Sequence, residues 1–230
     1  MLFRKPASAA GLLRQFVYGD VPLEQWGPQS PAEQSREPWA SFEQARRLAR
    51  AGQQAEAVAI WRQIALTEGL ESRVALQAWH FVRQAGHRPP AELTSEAFGA
   101  VVEVPIQRSH DVLAVYRDRT ARYLNYAGGA VIWEDREDPA IQAVVDDWMT
   151  LAKGLAGALA GSGSAWAWTK PSLPPLPAGH LRIMLLTPSG PWFGQGPEAS
   201  MRNEPTAQVF LRPATALLQL LTNRATDAGT

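Results

Sequence analysis

The spacing of hydrophobic positions divides the chain into two parts with different periods. From Trp39 to Gly86, apolar residues recur every three or four positions, which is the period of an α-helix with one buried face. From residue 98 onward, short apolar runs alternate with a period of two, which is typical of β-strands. The pattern therefore predicts a helical region over residues 39–90 and an α+β domain over residues 98–230.

Three helices are predicted in the helical region, and each ends at a glycine. "SFEQARRLARAG" opens with Ser41 as a candidate N-cap and ends at Gly52. "QQAEAVAIWRQIALTEG" ends at Gly69. "ESRVALQAWHFVRQAG" ends at Gly86, and the two prolines that follow prevent its continuation. The preceding segment, residues 1–38, is rich in proline and is expected to be irregular, with one short helix around residues 9–18.

The second part begins with four predicted strands, "AVVEVPI", "DVLAVYRD", "TARYLNYAG" and "AVIWEDRE". We expect Asp118 and Arg119 to turn one hairpin, and Gly128 and Gly129 to turn the next. A later strand, "HLRIMLLTP", is followed by the stretch "SGPWFGQGP". Proline and glycine there predict a turn and a return strand.

Two helices complete the second part. Asp138 and Pro139 predict a helix start, with the acid at the N-cap and the proline at the first helical position. The last helix, "EPTAQVFLRPATALLQLLTNRA", is expected to be interrupted or restarted at Pro213. The resulting order, three or four strands, a helix, two strands and a helix, predicts an antiparallel sheet with flanking helices.

The helical region resembles the tetratricopeptide repeat family over about one and a half repeats. The residues that carry the resemblance are Ala45, Leu48, Gly52, Ala57, Trp61 and Ile64, followed by Leu76, Trp79 and Gly86. A generic helical hairpin explains the same residues. The element order of the second part resembles the profilin-like group, which includes roadblock and longin modules. That resemblance implies an adaptor or regulator, and "VYRDRTARYLNYAGGAVIWE" is also similar to bacterial proteins of unknown function.

Composition excludes several classes of function. Lys and Arg total 22, as do Asp and Glu, so the net charge of zero gives no support to a nucleic-acid binder. The chain has no cysteine, which excludes disulfides, thiolate metal sites and cysteine nucleophiles. No run approaches the length of about 18 apolar residues that a membrane span needs. We therefore expect a soluble, cytoplasmic protein that binds neither nucleic acid nor membrane.

No motif in the chain carries recognisable chemistry. The acidic residues Glu134, Asp135, Glu137, Asp138, Asp146 and Asp147 lack the spacing of a calcium loop. His110 precedes Asp111, but no nucleophile motif accompanies the pair. The glycines of "GPWFGQGP" lack a phosphate-loop pattern, and its prolines remove backbone donors. We therefore predict no catalytic residue, no metal site and no cofactor, although an enzyme of unrecognised type stays open.

The aromatic residues instead favour contact with a protein partner. The chain has nine tryptophans, most of which are expected in the core, and aromatic side chains are also enriched at protein interfaces. The candidate interface residues are Tyr123, Tyr126, Trp166, Trp168, Trp192 and Phe193. One of the pair Trp192 and Phe193 is expected to be buried.

Three functions follow from the sequence. The first is a non-catalytic interaction or adaptor subunit of a bacterial cytoplasmic assembly, with homo-oligomerisation left open. The second is a small-molecule sensor whose pocket is lined by Trp133, Trp148 and Trp192. The third is a hydrolase of unrecognised type that uses His110 with an acidic residue.

Overall fold

The computed structural model describes residues 14–107, 109–125, 127, 129–160 and 173–227. The chain forms two compact units, Met1–Thr94 and Ser95–Thr230. Helices make up the first unit, and the second contains a six-stranded antiparallel sheet with flanking helices. The predicted α+β class, with helices preceding the sheet, is confirmed.

The first unit contains four α-helices and three short helical turns in its described part. The α-helices are α1 (Pro31–Gln34), α2 (Trp39–Arg50), α3 (Gln54–Ala65) and α4 (Ser72–Gln84). A π-helical turn spans Arg14–Tyr18, and 3₁₀ turns span Leu23–Gln25 and Ala91–Leu93.

Glycine ends α2 and α4 as predicted. Gly52 has φ +80°, and the next amide, of Gln53, donates to the carbonyl of Leu48 at 2.9 Å. Gly86 has φ +81°, and the amide of His87 donates to the carbonyl of Val82 at 3.1 Å. Both ends are Schellman motifs, which require a left-handed residue that glycine adopts without a steric penalty.

Two predicted helix limits were wrong. Ser41 is not the N-cap of α2, because the helix already begins at Trp39, whose ring packs on Trp26 and Phe42. Gly69 does not end α3, which stops at Ala65. The residues that directly follow Ala65 are exposed, so no buried contacts stabilise a further turn of the helix.

Part of the segment predicted to be irregular is tied to α4. The side-chain amide of Gln77, fully buried, donates to the carbonyl of Val21 at 2.8 Å and accepts from its amide at 3.0 Å. Gly19 lies against α4, since a Cβ there would come within 2.5 Å of the carbonyl oxygen of Arg73. A single glutamine therefore supplies both hydrogen bonds that the extended backbone at Val21 needs.

The second unit orders its strands β4-β3-β2-β1-β5-β6, with every neighbouring pair antiparallel. The first four strands follow one another as a meander, and a long helix then carries the chain to the far side of β1. The elements are β1 (Gly99–Ile106), β2 (Ser109–Tyr116), β3 (Ala121–Leu124), β4 (Ala130–Trp133), α5 (Pro139–Ala160), β5 (His180–Thr187), β6 (Gly190–Pro197), α6 (Glu198–Asn203) and α7 (Pro205–Asp227).

Both predicted hairpins are present, although Gly128, one of the two glycines predicted for the second turn, lies outside the described residues. Asp118 accepts hydrogen bonds from the amide and hydroxyl of Thr120, and Arg119 has φ +67°. The β3–β4 turn closes where the amide of Asn125 donates to the carbonyl of Gly129 at 2.9 Å. The stretch "SGPWFGQGP" forms the turn into β6 and the strand itself, so the predicted return strand is confirmed.

The core of this unit lies between one face of the sheet and the helices α5 and α7. Helix α7 runs without interruption through Pro213, so the predicted break there was wrong. Its buried side chains continue on both sides of the proline as one helical stripe. That packing keeps the helix continuous although Pro213 cannot donate a backbone hydrogen bond. The stripe consists of Ala207, Phe210, Ala214, Leu217 and Leu221.

Both faces of the central strands are buried. On β1, Ala100 and Val102 point into the helix-covered core, whereas Val101 and Glu103 alternate with them and are buried on the opposite face. A strand buried on both faces has a nearly continuous apolar sequence, which explains the run "AVVEV".

Candidate functional site

The sheet ends at β4, and two residues of β4 direct their backbone groups away from the sheet. The hydrogen bond from Asn125 to Gly129 sets the phase of the β3–β4 ladder. The backbone groups of Val131 and Trp133 point toward β3, as those of Gly129 do, and these two residues pair with Tyr123 and Ala121. Because bonding alternates along an antiparallel pair, the N–H and C=O of Ala130 and Ile132 point outward.

We call the outward side of Ala130–Trp133 the β4 edge. Ala130 and Ile132 are exposed, and Ile132 keeps 40% of its surface accessible. Neither residue forms an outward hydrogen bond with any other described residue. The strand contains no proline and no charged residue, the usual devices that prevent pairing at a sheet edge. Among the described residues, none therefore pairs with the outward side of this strand, as an added strand would.

The opposite edge of the sheet, β6, is built differently. The amide of Phe98 donates to the carbonyl of Leu186 at 2.8 Å, which places Leu186 in the ladder with β1. The backbone of Pro191, its partner on β6, therefore points away from the sheet. The backbone groups of the alternating residues Phe193, Gln195 and Pro197 do the same. Two of these four outward positions are prolines, which have no N–H to donate.

Outward residues of β6 also form side-chain contacts with Arg182 of β5. The Gln195 amide oxygen accepts from Nε and Nη2 of Arg182, at 2.9 and 2.8 Å. Arg182 is buried, and its Nη1 lies 3.4 Å from the Glu103 carboxylate. Nη2 also donates to the carbonyl of Pro174 at 2.6 Å, and the guanidinium lies 5.2 Å from the centroid of the Phe193 ring. A buried charge needs such partners, so this network has a structural role.

An acidic segment follows the β4 edge directly. Residues 134–137 read Glu-Asp-Arg-Glu and are all exposed. Glu134 lies 3.7 Å from the buried guanidinium of Arg122 on β3, yet its own side chain is 68% accessible. Asp135 accepts the amide of Glu137 at 2.8 Å, which turns the chain toward α5.

The other acidic residues of the predicted cluster have structural roles. Asp138 caps α5 as predicted by accepting the amides of Ala140 and Ile141 at 3.0 and 3.2 Å. The hydrogen bond from Arg224, at 2.9 Å, lowers the pKa of the Asp138 carboxyl, and the amide of Ile141 contributes to the same shift. Over the described parts of the chain, no group of three or more His, Asp or Glu side chains is placed to hold a metal ion.

His110 and Asp111 do not form a catalytic pair. They are consecutive residues of β2, so their side chains point to opposite faces of the sheet. Asp111 accepts the hydroxyl of Tyr123 at 2.6 Å. Burial raises the pKa of the Tyr123 phenol above its ordinary value, and the hydrogen bond to Asp111 raises it further. The hypothesis of a base oriented by Asp111 is therefore wrong.

The three described members of the predicted aromatic interface do not share one exposed surface. Trp192 is buried in the core at 8% exposure, as expected for one member of its pair, whereas Phe193 is half-buried on the other face of β6. Tyr123 is half-buried on β3. Interface roles for these three stay predictions. The remaining candidates, Tyr126, Trp166 and Trp168, lie outside the described residues.

Trp133, Trp148 and Trp192 contribute to the same core, as a pocket lining would require. The indole N–H groups of Trp133 and Trp148 are buried and have no acceptor among the described residues. Buried tryptophans of the first unit share this property, so it does not single out a ligand pocket in the second. They are Trp26, Trp61 and Trp79.

Within the described segments, no helix is both long and apolar enough to cross a membrane. Comparisons with models of known protein families, with curated proteins and with solved structures found no match to this chain. Sequence reasoning missed the β4 edge, although the absence of proline and charge in "AVIW" was a usable signal.

Proposed function

We propose that the chain is a non-catalytic interaction subunit of a bacterial cytoplasmic assembly, and that a protein partner docks at the β4 edge. The observation that carries this proposal is the unprotected edge: Ala130 and Ile132 present outward backbone groups on an exposed strand without proline or charge. Addition of a strand to such an edge is a general mode of protein recognition.

The structural roles of the candidate catalytic and metal-binding acids support the proposal. Asp138 caps α5, Asp111 accepts from Tyr123, and Asp146 forms a two-bond ion pair with Arg119 at 2.8 and 3.1 Å. Each of these groups has a structural partner, so none requires a substrate to explain its position.

Photocrosslinking in the cells that express the chain tests the proposal. A photoreactive amino acid replaces Ile132 in the full chain, and a matched variant carries it at Val209 on α7. These two residues have nearly equal exposure, 40% and 42%. We expect a defined protein adduct from position 132 that is absent from position 209.

Two results would contradict the proposal. One is the lack of any protein adduct from position 132 at expression levels that match the natural chain. The other is the same set of adducts from both positions, which would indicate contact with any exposed apolar side chain. Mass spectrometry of the adduct identifies the partner segment in the positive case.

A further inference from the structure

We infer that the β4 edge binds an extended partner segment that runs antiparallel to β4 and carries basic residues directly before a short apolar run. This inference rests on the proposed function and specifies the chemistry of the partner. It combines the orientation of the backbone groups, the faces of the β4 side chains and the charge of the segment that follows β4.

The backbone favours antiparallel addition. All neighbouring strands of the sheet are already antiparallel, and antiparallel pairing is slightly more stable per residue than parallel pairing. Ala130 and Ile132 each offer one N–H and one C=O to the added strand. Two residues of the partner, spaced two apart, can therefore exchange hydrogen bonds with both.

The side chains of β4 require an apolar run in the partner. Ala130 and Ile132 lie on one face of the sheet, and Val131 and Trp133 lie on the face covered by helices. Partner side chains opposite these positions would meet apolar atoms on both faces. Cross-strand contacts of β-branched residues stabilise such pairs, so valine and threonine suit the run.

The acidic segment determines the sign of charge in the partner. In an antiparallel pair, the residue directly before the partner's apolar run lies across from Glu134, and the residue preceding it lies near the turn at Asp135. Residues 134–137 contain three acids and one arginine, and all are exposed. Opposite charges across a pair stabilise it, whereas like charges destabilise it. Lysine or arginine at these partner positions therefore complements the edge.

A second copy of the chain fits the same edge less well. In a two-fold antiparallel pair of β4 strands centred on Val131, Glu134 would lie across from the glycine turn before Ala130 of the copy. The acidic segment would then meet no basic residue of β4. Four-residue strands also offer far less area than the roughly 1,200 Å² of a stable interface.

Peptide binding to the full chain tests the inference. The probe is the fluorescent hexapeptide Lys-Arg-Val-Thr-Val-Thr, and its charge-reversed control is Glu-Glu-Val-Thr-Val-Thr. Fluorescence anisotropy measures affinity, and amide chemical shifts measured by NMR locate the site. We expect the basic peptide to bind about two- to fivefold more tightly than the acidic one. The largest shift changes are expected at residues 129–134.

Matched variants separate the backbone from the charge. Ile132→Pro removes an outward N–H and should abolish binding, while Ile132→Thr keeps that N–H and should bind as the unaltered chain does. Circular dichroism of both variants checks that the fold is retained. Glu134→Lys should reverse the preference, so that the acidic peptide binds more tightly.

Each contrary result overturns the inference. These are equal affinity for both peptides, no binding of either at millimolar concentration, shift changes away from β4, and self-association of the chain that Ile132→Pro abolishes. The last result would identify a second copy as the occupant. If photocrosslinking at position 132 still captures a partner, the inference fails while the proposed function stands.

Discussion

β6 and β4 both leave one side of their backbone outside the sheet, and they differ in what protects that side. On β6, Pro191 and Pro197 occupy two outward positions, and Gln195 binds the buried Arg182. On β4, Ala130 and Ile132 are exposed, and neither is a proline or a charged residue. Open edges promote pairing with other chains, so proteins generally block them.

The difference shows that prolines and a side-chain network protect the β6 edge, whereas β4 has neither and is limited only by its short length. β6 follows β5 through a two-residue loop and returns to the core through Trp192, which is 8% exposed. The side chains of β4 that face the core, Val131 and Trp133, are only half-buried. The protected edge strand, β6, is thus more deeply buried in the core. The open edge strand, β4, is short, and its core-facing side chains are only partly buried.

The largest effect is expected from removing the core anchor of β6. Trp192→Ala should lower the free energy of unfolding by about 3–5 kcal/mol, because it leaves a large cavity in the core. Trp133→Ala on β4 is the matched variant and should cost clearly less, since Trp133 is half-buried. Urea unfolding followed by circular dichroism measures both. Equal losses would mean that the two edges are equally anchored.

A proline scan of β4 should produce an intermediate effect and tests the phase of the edge. Val131→Pro removes an amide that bonds to β3 and should cost about 2 kcal/mol of unfolding free energy. Ile132→Pro places the proline at an outward amide, as Pro191 does on β6, and should cost less than about 1 kcal/mol. Thermal and urea unfolding give the two values. If Ile132→Pro cost more unfolding free energy than Val131→Pro, the backbone N–H and C=O groups of Ala130 and Ile132 would point toward β3.

The smallest effect concerns the hydrogen bond beside the open edge. Tyr123→Phe removes the 2.6 Å hydrogen bond to Asp111 and should cost about 1 kcal/mol at neutral pH. The folded pKa of Tyr123 is raised, so its contribution is complete below the ordinary tyrosine pKa of about 10 and is lost as pH rises through the folded pKa.

Stability measured from pH 8 to pH 11.5 checks the sign of this effect. The unaltered chain should lose stability above about pH 10 more steeply than the Tyr123→Phe variant does. Parallel curves for the two proteins would contradict a raised pKa of Tyr123 in the folded state. The Asp111→Asn variant is the control that keeps the phenol and removes the carboxylate.

Local features were predictable from the sequence because they depend on neighbouring residues alone. Asp138 caps α5, Gly52 and Gly86 end their helices, and the turn at residues 188–189 joins β5 to β6. The same local rules predicted a break at Pro213 that does not occur. There the buried stripe of α7 outweighs the missing hydrogen bond, and a local rule cannot include that contribution.

The candidate site was less predictable than the fold. The aromatic residues favoured by the sequence lie on separate surfaces where they are described, and the β4 edge was not predicted. Its residues, Ala130 and Ile132, have no distinctive chemistry, because their significance comes from being at the end of the sheet. The one local signal is the absence of proline and charge from "AVIW", whereas each interior strand of the sheet, β1, β2, β3 and β5, contains a charged residue.

By itself the sequence determined the periods of the helices and strands, the turns, and the α+β class. These follow from side-chain alternation and from short-range backbone preferences. Only the tertiary structure decided that β5 pairs with β1 after α5, which places β4 and β6 at opposite edges. Pairing between strands distant in sequence depends on which faces the helices bury together. The fold therefore places the outward N–H and C=O groups of Ala130 and Ile132 at the edge of the sheet. The sequence specifies only that this strand has no proline and no charged residue.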